Sequence, residues 1–370
     1  MASARAPRER LPALWLGQAA PRRVRRVRLV QGSRRGQRRR ALVLPVAVDA
    51  LGGDKAPEEI VAGAHEAAAA GIAVALVGPA DLAGRGSLPV IAAGEVIAMD
   101  EDPAAAVRAK KDSTLVRAAE AVRDGRAGAM ISAGNTGATM AAALLRMGRI
   151  EGVKRPAIAT PIPVPGSTPT VLLDAGANAE VEAPWLVQFA LMGSVYAQQR
   201  YGIARPRVGL LSVGEEPGKG DTLRKEAFAL MEAAAAAGAF HFIGNVEGRD
   251  IVTDRVDVVV TDGFTGNVAL KTLEGSMKAI VKALFAVLGK PEYKAPADAL
   301  MPGMLELYGT FDPESTGGAI LLGVDGVCII SHGSSSRRAM LNGIRVAREM
   351  METDMVGRIR EAVAAHPLAR

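Results

Sequence analysis

Six short, apolar, strand-like segments of this sequence each end in a small, polar, glycine-rich turn that opens a helical segment. This repeated unit constrains the fold, because strands that alternate with helices build a largely parallel sheet with helices on its faces. The six turns are Asp49–Asp54, Ser132–Thr139, Asp174–Asn178, Ser212–Asp221, Thr261–Asn267 and Ser331–Ser336. The sequence therefore predicts an α/β fold.

The amino-acid composition agrees with this prediction. Apolar residues make up 49% of the chain and aromatic residues only 4%, so the core is built from aliphatic side chains, whereas an all-β sandwich normally holds more aromatic ones. The predicted strands are 43–49, 73–77, 90–91, 129–132, 170–174, 208–213, 240–244, 256–261 and 327–331. The predicted helices are 57–70, 103–110, 113–124, 136–147, 184–200, 223–237, 268–287 and 337–349.

A chain of 370 residues exceeds the length that one hydrophobic core usually serves, so we expect two sub-domains around a cleft. Residues 44–155 and 316–365 are predicted to form the first and residues 156–315 the second. The stretch 155–169 holds five prolines and is the predicted crossing between them. Residues 289–316 are predicted to be irregular.

The net charge of +6 is unevenly distributed. Residues 1–40 carry 13 Arg and one acid, whereas the rest of the chain holds 32 basic residues against 38 acidic ones. The basic segment lacks hydrophobic periodicity, so we predict a disordered Arg-rich extension over 1–43, or a mis-assigned start, in preference to a transit peptide or an RNA-binding arm. The acidic body predicts no nucleic-acid partner.

Cysteine and hydropathy patterns bear on the compartment. The single cysteine, Cys328, lies in an apolar run, which is typical of a reduced compartment and excludes an internal disulfide. No apolar stretch reaches the roughly 18 residues that span a bilayer. We therefore expect a cytoplasmic protein.

The turns are the candidate ligand site. Ligands of open α/β sheets bind at the carboxyl ends of strands, and glycine lets backbone N–H groups approach an anion at a helix N-terminus. Any single turn has a purely structural reading, but six together predict one phosphate-handling cleft. Its predicted binding residues are Gly52, Gly53, Gly134, Asn135, Thr136, Gly137, Asn178, Asp262, Gly263, Thr265, Gly266 and Ser334.

Familiar cofactor motifs do not occur. No Gly-x-Gly-x-x-Gly follows a strand, and Gly214–Lys219 lacks the spacing of a phosphate-binding P-loop. The four histidines show no metal-ligand spacing, and there is no Gly-x-Ser-x-Gly nucleophile turn. We therefore predict no cofactor and no metal.

Read together, the motifs resemble those of the phosphate acyltransferase family of phospholipid synthesis. The similarity runs in order from about Val46 to Arg348 and includes Ser-Ala-Gly-Asn-Thr-Gly-Ala, Leu-Leu-Asp-Ala-Gly-Ala-Asn and Thr-Asp-Gly-Phe-Thr-Gly-Asn. The resemblance implies transfer of a long-chain acyl group from acyl-carrier protein to inorganic phosphate. It also implies a Rossmann-like α/β/α sandwich of the isocitrate and isopropylmalate dehydrogenase type, a homodimer, peripheral membrane contact and a downstream glycerol-phosphate acyltransferase.

The chemistry requires few catalytic side chains, because phosphate is already anionic at pH 7 and can attack a thioester directly. The candidate catalytic residues are Lys219, His332 and Asn267, and replacing Lys219 by Ala is predicted to lower turnover at least tenfold. Asp49 and Asp262 are predicted to orient N–H groups of their loops. Scattered basic residues near the cleft are predicted to receive the carrier protein: Lys154, Arg155, Arg224 and Lys225.

A helix containing Lys278 and Lys282 on one face and Ile280 to Leu288 on another is the predicted contact with a dimer partner or a membrane.

Three alternative functions remain: a short-chain phosphate acyltransferase, a dehydrogenase-like oxidoreductase, and a non-catalytic, basic-tailed membrane or RNA scaffold.

Overall fold

The computed structural model describes residues 44–86 and 88–367, so the predicted extension over 1–43 lies outside the described residues. The described strands are β1 (Val46–Asp49), β2 (Val74–Gly78), β3 (Val90–Ala92), β4 (Ala129–Ser132), β5 (Ala157–Ile162), β6 (Thr170–Leu173), β7 (Arg207–Leu211), β8 (His241–Val246), β9 (Val258–Val260), β10 (Ala319–Leu322) and β11 (Val327–Ile330). The described α-helices are α1 (Glu58–Ala69), α2 (Pro103–Ala109), α3 (Thr114–Arg123), α4 (Thr136–Ala142), α5 (Ala183–Tyr201), α6 (Thr222–Ala236), α7 (Gly263–Leu288), α8 (Lys294–Phe311), α9 (Pro313–Thr316), α10 (Arg337–Glu352) and α11 (Met355–Ala365).

All eleven strands form one sheet in the order β3-β2-β1-β4-β11-β10-β5-β6-β9-β7-β8. Seven of the neighbouring pairs are parallel. The three antiparallel pairs, β11 with β10, β10 with β5 and β5 with β6, lie in the centre. The mostly parallel sheet of a Rossmann-like α/β/α sandwich is thus confirmed, but its two parallel blocks run in opposite directions.

The two predicted sub-domains divide this sheet cleanly. Strands of residues 44–155 and 316–365 occupy one side as far as β10, and strands of residues 156–315 occupy the other from β5 onward. The sheet itself is continuous across that line, so the division into sub-domains stays a prediction. The proline-rich stretch predicted as a crossing contains β5, whose Pro161 pairs with Val171 of β6 and lies beyond the residues that pair with β10.

The core lies on both faces of the sheet because successive strand residues point to opposite sides. On one face the apolar core contains Val46 and Val48 of β1 together with residues of helices α1, α5, α6, α10 and α11. On the other face Ala47 packs with α2, α3 and α4. Residues of α7 cover that second face over β6, β7 and β9. A helix that is covered on one side only is therefore amphipathic, and a helix that is covered on several sides is apolar.

We call helices α7 and α8 together the helical hairpin. Helix α8 contradicts the prediction that residues 289–316 are irregular. Helix α8 spans 18 of these residues although Pro302 lies inside it. Only Gly263 and Gly266 of α7 and Ala297 of α8 are buried. No described helix is long and apolar enough to cross a membrane.

Candidate functional site

The reversal of strand direction separates the six glycine-rich turns into two sets. Residues 49–54, 132–137 and 331–336 follow the adjacent strands β1, β4 and β11, and we call them the Asp49 group. Residues 174–178, 212–221 and 261–267 follow β6, β7 and β9, and we call them the Asp174 group. The carboxyl ends of the two blocks point to opposite edges of the sheet, and the single phosphate-handling cleft stays a prediction.

The two groups border the same sheet face. Ala175 and Ala177 of the Asp174 group belong to the apolar cluster that also contains Ala138 and Met140 of α4. Leu270 of α7 packs against this cluster and against the neighbouring one over β6 and β9. Among the described residues, no hydrogen bond or ion pair joins the two groups directly.

A buried carboxylate organises the Asp49 group. Asp49 is only 1% exposed and accepts a 2.6 Å hydrogen bond from the Ser132 hydroxyl, which in turn accepts one of 2.9 Å from Gly134 N–H. Asp49 also accepts a bond from Leu51 N–H at 3.3 Å, which confirms that it orients its loop. Burial raises the pKa of Asp49, although the bond from Ser132 acts against that shift.

Glycines bring the three turns of the Asp49 group into contact. A Cβ on Gly52 would overlap Asp49 Oδ2 and lie 2.9 Å from Gly134 N. A Cβ on Gly53 would lie 3.1 Å from the Gly333 carbonyl oxygen, and Asp54 N–H donates to that same oxygen at 2.8 Å. The turns after β1, β4 and β11 therefore form one glycine-lined surface.

Replacing Gly52 by Ala is expected to lower the free energy of unfolding by about 1–3 kcal/mol, because the added Cβ forces apart two fixed groups. Turnover should fall at least tenfold because the turn moves with it. Gly218→Ala is the matched control, since a Cβ there meets nothing within 4 Å. Urea denaturation and initial rates check both variants, and equal behaviour of the two would contradict the close approach.

His332 stands exposed at the rim of the Asp49 group. Its Nδ1 accepts a hydrogen bond from Ser334 N–H at 3.2 Å and lies 2.9 Å from the Ser334 hydroxyl. Because Nδ1 accepts, the neutral ring carries its proton on Nε2. His332 therefore presents an N–H donor outward, held in orientation by the loop.

The loop after His332 is fixed at several points. The Ser335 hydroxyl lies 2.8 Å from that of Ser331, and the Ser336 hydroxyl donates to Glu314 at 2.7 Å. Glu59 of α1 accepts bonds from the backbone and side chain of Arg337 at the start of α10. The bonds from the Arg337 side chain lower the pKa of Glu59 to about 2. These contacts give the loop a defined conformation.

Three other predicted residues of this group lie at the start of α4. Asn135 caps the helix by accepting from Ala138 N–H at 3.0 Å, and its amide donates to the Met99 carbonyl at 3.0 Å. A Cβ on Gly137 would lie 2.6 Å from Pro103 of α2. Asn135 and Gly137 therefore have structural roles, whereas Thr136 is exposed.

A second buried carboxylate organises the Asp174 group. Asp174 accepts hydrogen bonds from the backbone N–H groups of Ile158, Gly176, Ala177 and Asn178 at 2.7–3.1 Å, and from the Asn178 amide at 2.9 Å. Burial raises the pKa of Asp174, with these bonds acting against the shift. Sequence reasoning missed this role, although the position of Asp174 at a strand end was visible.

The first turn of α7 packs against this turn. Asp262 caps the helix by accepting from Thr265 N–H at 2.8 Å, which confirms its predicted orienting role. A Cβ on Gly266 would overlap the Asp174 carbonyl oxygen, and one on Gly263 would lie 2.7 Å from the Asn178 carbonyl oxygen. The two glycines therefore allow the close contact between the turns.

An arginine neutralises the acids of this group. Arg224 pairs with Asp262 and with Asp221, the latter at 2.9 Å, and also approaches the Thr265 hydroxyl at 3.2 Å. Burial would raise the pKa of Asp262, but the bonds from Thr265 and the charge of Arg224 lower it below its ordinary value. The Arg224 side chain is only 13% exposed and paired with two acids, and its part in carrier-protein docking stays a prediction.

The remaining predicted residues lie on the surface of this group. Lys219 is exposed, and no ion pair to it occurs within the part of the chain that is described. Asn267 is exposed, and its Cβ lies 3.6 Å from the position that a Cβ on Gly176 would take. Lys154, Arg155 and Lys225 are exposed as a docking surface requires, and their role stays a prediction.

The catalytic role predicted for Lys219 assumed that the loop of residues 212–221 lies beside the other turns, whereas β7 and β11 run in opposite directions. Because Lys219 lies at the opposite edge from His332, we expect Lys219→Ala to keep turnover within about twofold of the parent, since exposed charges are screened by salt. Stability should change by no more than about 0.5 kcal/mol. Initial rates and thermal melting check this, and a tenfold loss of rate would place the Asp174 group in the reaction.

Comparison with known proteins places the chain in a family. The model of a family described as fatty acid synthesis protein matches residues 44–358. The phosphate acyltransferase of Desulforudis audaxviator is 47% identical over 321 residues, which cover 85% of this chain and 94% of the relative. That of Geobacillus thermodenitrificans is 47% identical over 323 residues, covering 85% and 97%.

Solved structures share the fold at low sequence identity. The EutD phosphotransacetylase from Staphylococcus aureus superposes with a TM-score of 0.55 at 15% identity, covering 83% of this chain and 94% of its own. A phosphotransacetylase from Streptococcus pyogenes gives 0.54 at 16% identity, covering 87% and 94%. The sequence relatives confirm the predicted family and its acyltransferase activity class, and the chain therefore belongs to the phosphate acyltransferase family.

Proposed function

We propose that this chain transfers a long-chain acyl group from acyl-carrier protein to inorganic phosphate, and that the reaction takes place at the Asp49 group. The observation that carries the proposal is the glycine-lined surface made by three adjacent strand ends, with the His332 Nε2–H donor at its rim. Such a surface suits a small oxyanion, because backbone N–H groups can approach it closely.

The residues of the Asp49 group support a reaction without a protein nucleophile. A phosphate oxygen attacks the thioester carbonyl carbon, the C–S bond breaks, and the sulfur leaves as a thiolate with the bonding electron pair and then takes a proton from water. Thiols have a pKa near 8.5, so the leaving group needs little help from an acid. The protein has to hold phosphate against the carbonyl and donate hydrogen bonds to the developing oxyanion.

Within this proposal, His332 and Ser334 act together. His332 donates from Nε2 to the phosphate or to the carbonyl oxygen, and Ser334 holds the ring through Nδ1. Gly52, Gly53 and Gly134 bring backbone close to the same place. The proposed site needs neither metal nor cofactor, and the described residues include no group of three potential metal ligands.

Release of free thiol from acyl-carrier protein tests the proposal. Purified protein with palmitoyl-acyl-carrier protein should release thiol only when phosphate is present, and without added nucleotide or metal. The same assay with butyryl-carrier protein and with palmitoyl-coenzyme A measures the preference for chain length and for the carrier. Equal release without phosphate would make the protein a thioesterase and would overturn the proposal.

We also propose that the helical hairpin forms a homodimer contact, as the sequence resemblance implies. Seven of its apolar side chains are exposed: Ile280 and Leu300 are each 60% exposed, and Leu284, Phe285, Val287, Leu305 and Leu307 are exposed as well. Exposed apolar patches of this extent mark interaction sites. Peripheral contact with a membrane, and transfer of acyl-phosphate to a glycerol-phosphate acyltransferase there, would use the same end of the molecule.

Ile280→Glu is expected to convert a dimer into a monomer, because it places a charge in the apolar contact. Light scattering should give twice the 38.4 kDa chain mass for the parent and one chain mass for the variant. Lys278→Glu introduces the same carboxylate at a neighbouring exposed position and should remain dimeric. A monomeric parent that sediments with lipid vesicles would instead assign the patch to a membrane.

A further inference from the structure

A cavity of about 250 Å³ lies on the same sheet edge as the Asp49 group. Its walls come from three segments: the connection between β5 and β6, the end of α5, and the stretch from the end of α8 into α9. The apolar part of the lining consists of Pro161, Pro163, Val164, Pro169 and Tyr201. None of these residues belongs to the polar groups described above.

Strand register places this cavity beside the candidate reaction site. Ile330 of β11 pairs with Ala319 of β10, and the next residue, Ile320, pairs with Ala159 of β5. Neighbouring strands are about 4.8 Å apart, so β5 lies about 10 Å from β11. The carboxyl end of β5, which carries Pro161, therefore points to the same edge as Ser331.

Hydrogen bonds connect the cavity wall to the His332 loop. Glu314 accepts from the Ser336 hydroxyl at 2.7 Å, and Arg338 donates to the Ser315 hydroxyl at 2.5 Å. Ser315 lines the cavity. A molecule in the cavity and a molecule at the Asp49 group would thus contact two parts of the protein that these hydrogen bonds join.

Three polar side chains of the lining, those of Arg200, Thr310 and Ser315, are already paired within the protein. Arg200 forms an ion pair with Glu349, and its guanidinium lies 5.9 Å from the centre of the Tyr201 ring. The hydroxyl of Ser315 donates to the Gly309 carbonyl at 2.8 Å, and that of Thr310 to a carbonyl of α8 at 3.3 Å. The cavity therefore suits an uncharged, apolar ligand better than an anion or an amide-rich arm.

We infer that this cavity binds the acyl chain of the thioester donor, an inference that rests on the proposed function. Taking about 30 Å³ per water-sized group, 250 Å³ holds about eight methylene-sized groups. Longer chains can continue along α8, where Tyr308 is exposed immediately before the wall residues Gly309 and Thr310. The thioester carbonyl would then lie at the end of the cavity nearest the Asp49 group.

Ser167→Trp and Thr310→Trp test the inference as independent variants, because each places a bulky side chain on a different wall of the cavity. Thr168→Trp is the matched control, because Thr168 is exposed beside Ser167 but does not line the cavity. For palmitoyl-carrier protein, kcat/KM should fall at least tenfold in both cavity variants and stay near the parent in the control. For butyryl-carrier protein all three variants should remain within about twofold. Thermal melting establishes that each variant is folded, and two walls are used so that one unstable protein does not decide the outcome.

Equal losses for short and long chains would assign the cavity to the carrier arm and overturn the inference, as would no loss at either length. Calorimetric binding of palmitoyl-carrier protein in the absence of phosphate separates this inference from the proposed function. Binding that weakens in both Trp variants, in a protein without phosphate-dependent turnover, would leave the acyl site standing and overturn the reaction instead.

Discussion

His332→Ala is expected to lower phosphate-dependent turnover by about 100-fold, the effect of losing one oriented donor to a developing oxyanion. The ring is exposed and its described hydrogen bonds go to Ser334, so the melting temperature should not change measurably. Initial rates at saturating phosphate measure the turnover, and thermal melting of the same preparation measures the melting temperature.

Two further variants separate donation from position. His332→Gln keeps an amide donor of similar reach and should recover part of the lost rate. Ser334→Ala keeps the ring but removes the hydroxyl beside Nδ1, so turnover should fall less than in His332→Ala, with the larger part of the change in kcat. A His332→Ala protein that turns over at the parent rate would remove His332 from the reaction.

Asp174→Ala is expected to lower the free energy of unfolding by about 4 kcal/mol. The substitution removes the acceptor of five hydrogen bonds at a fully buried position, and a buried donor without a partner costs about 1–3 kcal/mol. The turn supports the start of α7 through Gly263 and Gly266, so the loss extends to the helical hairpin.

Asp174→Asn is the matched comparison for this prediction. Asn keeps one acceptor oxygen for the N–H groups of β5 and the turn, but presents an NH2 group toward Asn178 N–H. We expect about half of the loss seen for Ala. Urea denaturation measures both, and a loss below about 1 kcal/mol for Asp174→Ala would mean that water replaces the carboxylate.

The alternation of strands and helices, the family and most helix positions were predictable from sequence, because apolar periodicity and glycine-rich turns are local signals. Strands β5 and β10 were not predicted. Pro161 lies within β5, and both strands take their place from pairing between residues 157–162 and 319–322, which no local pattern reveals. Their antiparallel insertion reverses one half of the sheet and separates the turns into two groups.

Helix α8 was missed for a related reason. Pro302, Gly303 and Gly309 are residues that usually interrupt helices, yet all three lie inside α8. The roles of individual site residues were equally hidden. Sequence type suggested ligand donors at Asn135 and Thr265, whereas the structure uses their side chains to cap α4 and to pair with Asp262.

The central claim is that inorganic phosphate itself accepts the acyl group, and oxygen-18-labelled phosphate tests it most directly. In the proposed reaction a phosphate oxygen forms the new bond to the carbonyl carbon, so mass spectrometry of the product from palmitoyl-acyl-carrier protein should show acyl-phosphate that retains every labelled oxygen. Release of unlabelled palmitate, with the labelled phosphate unchanged, would show that water is the acceptor and would contradict the account.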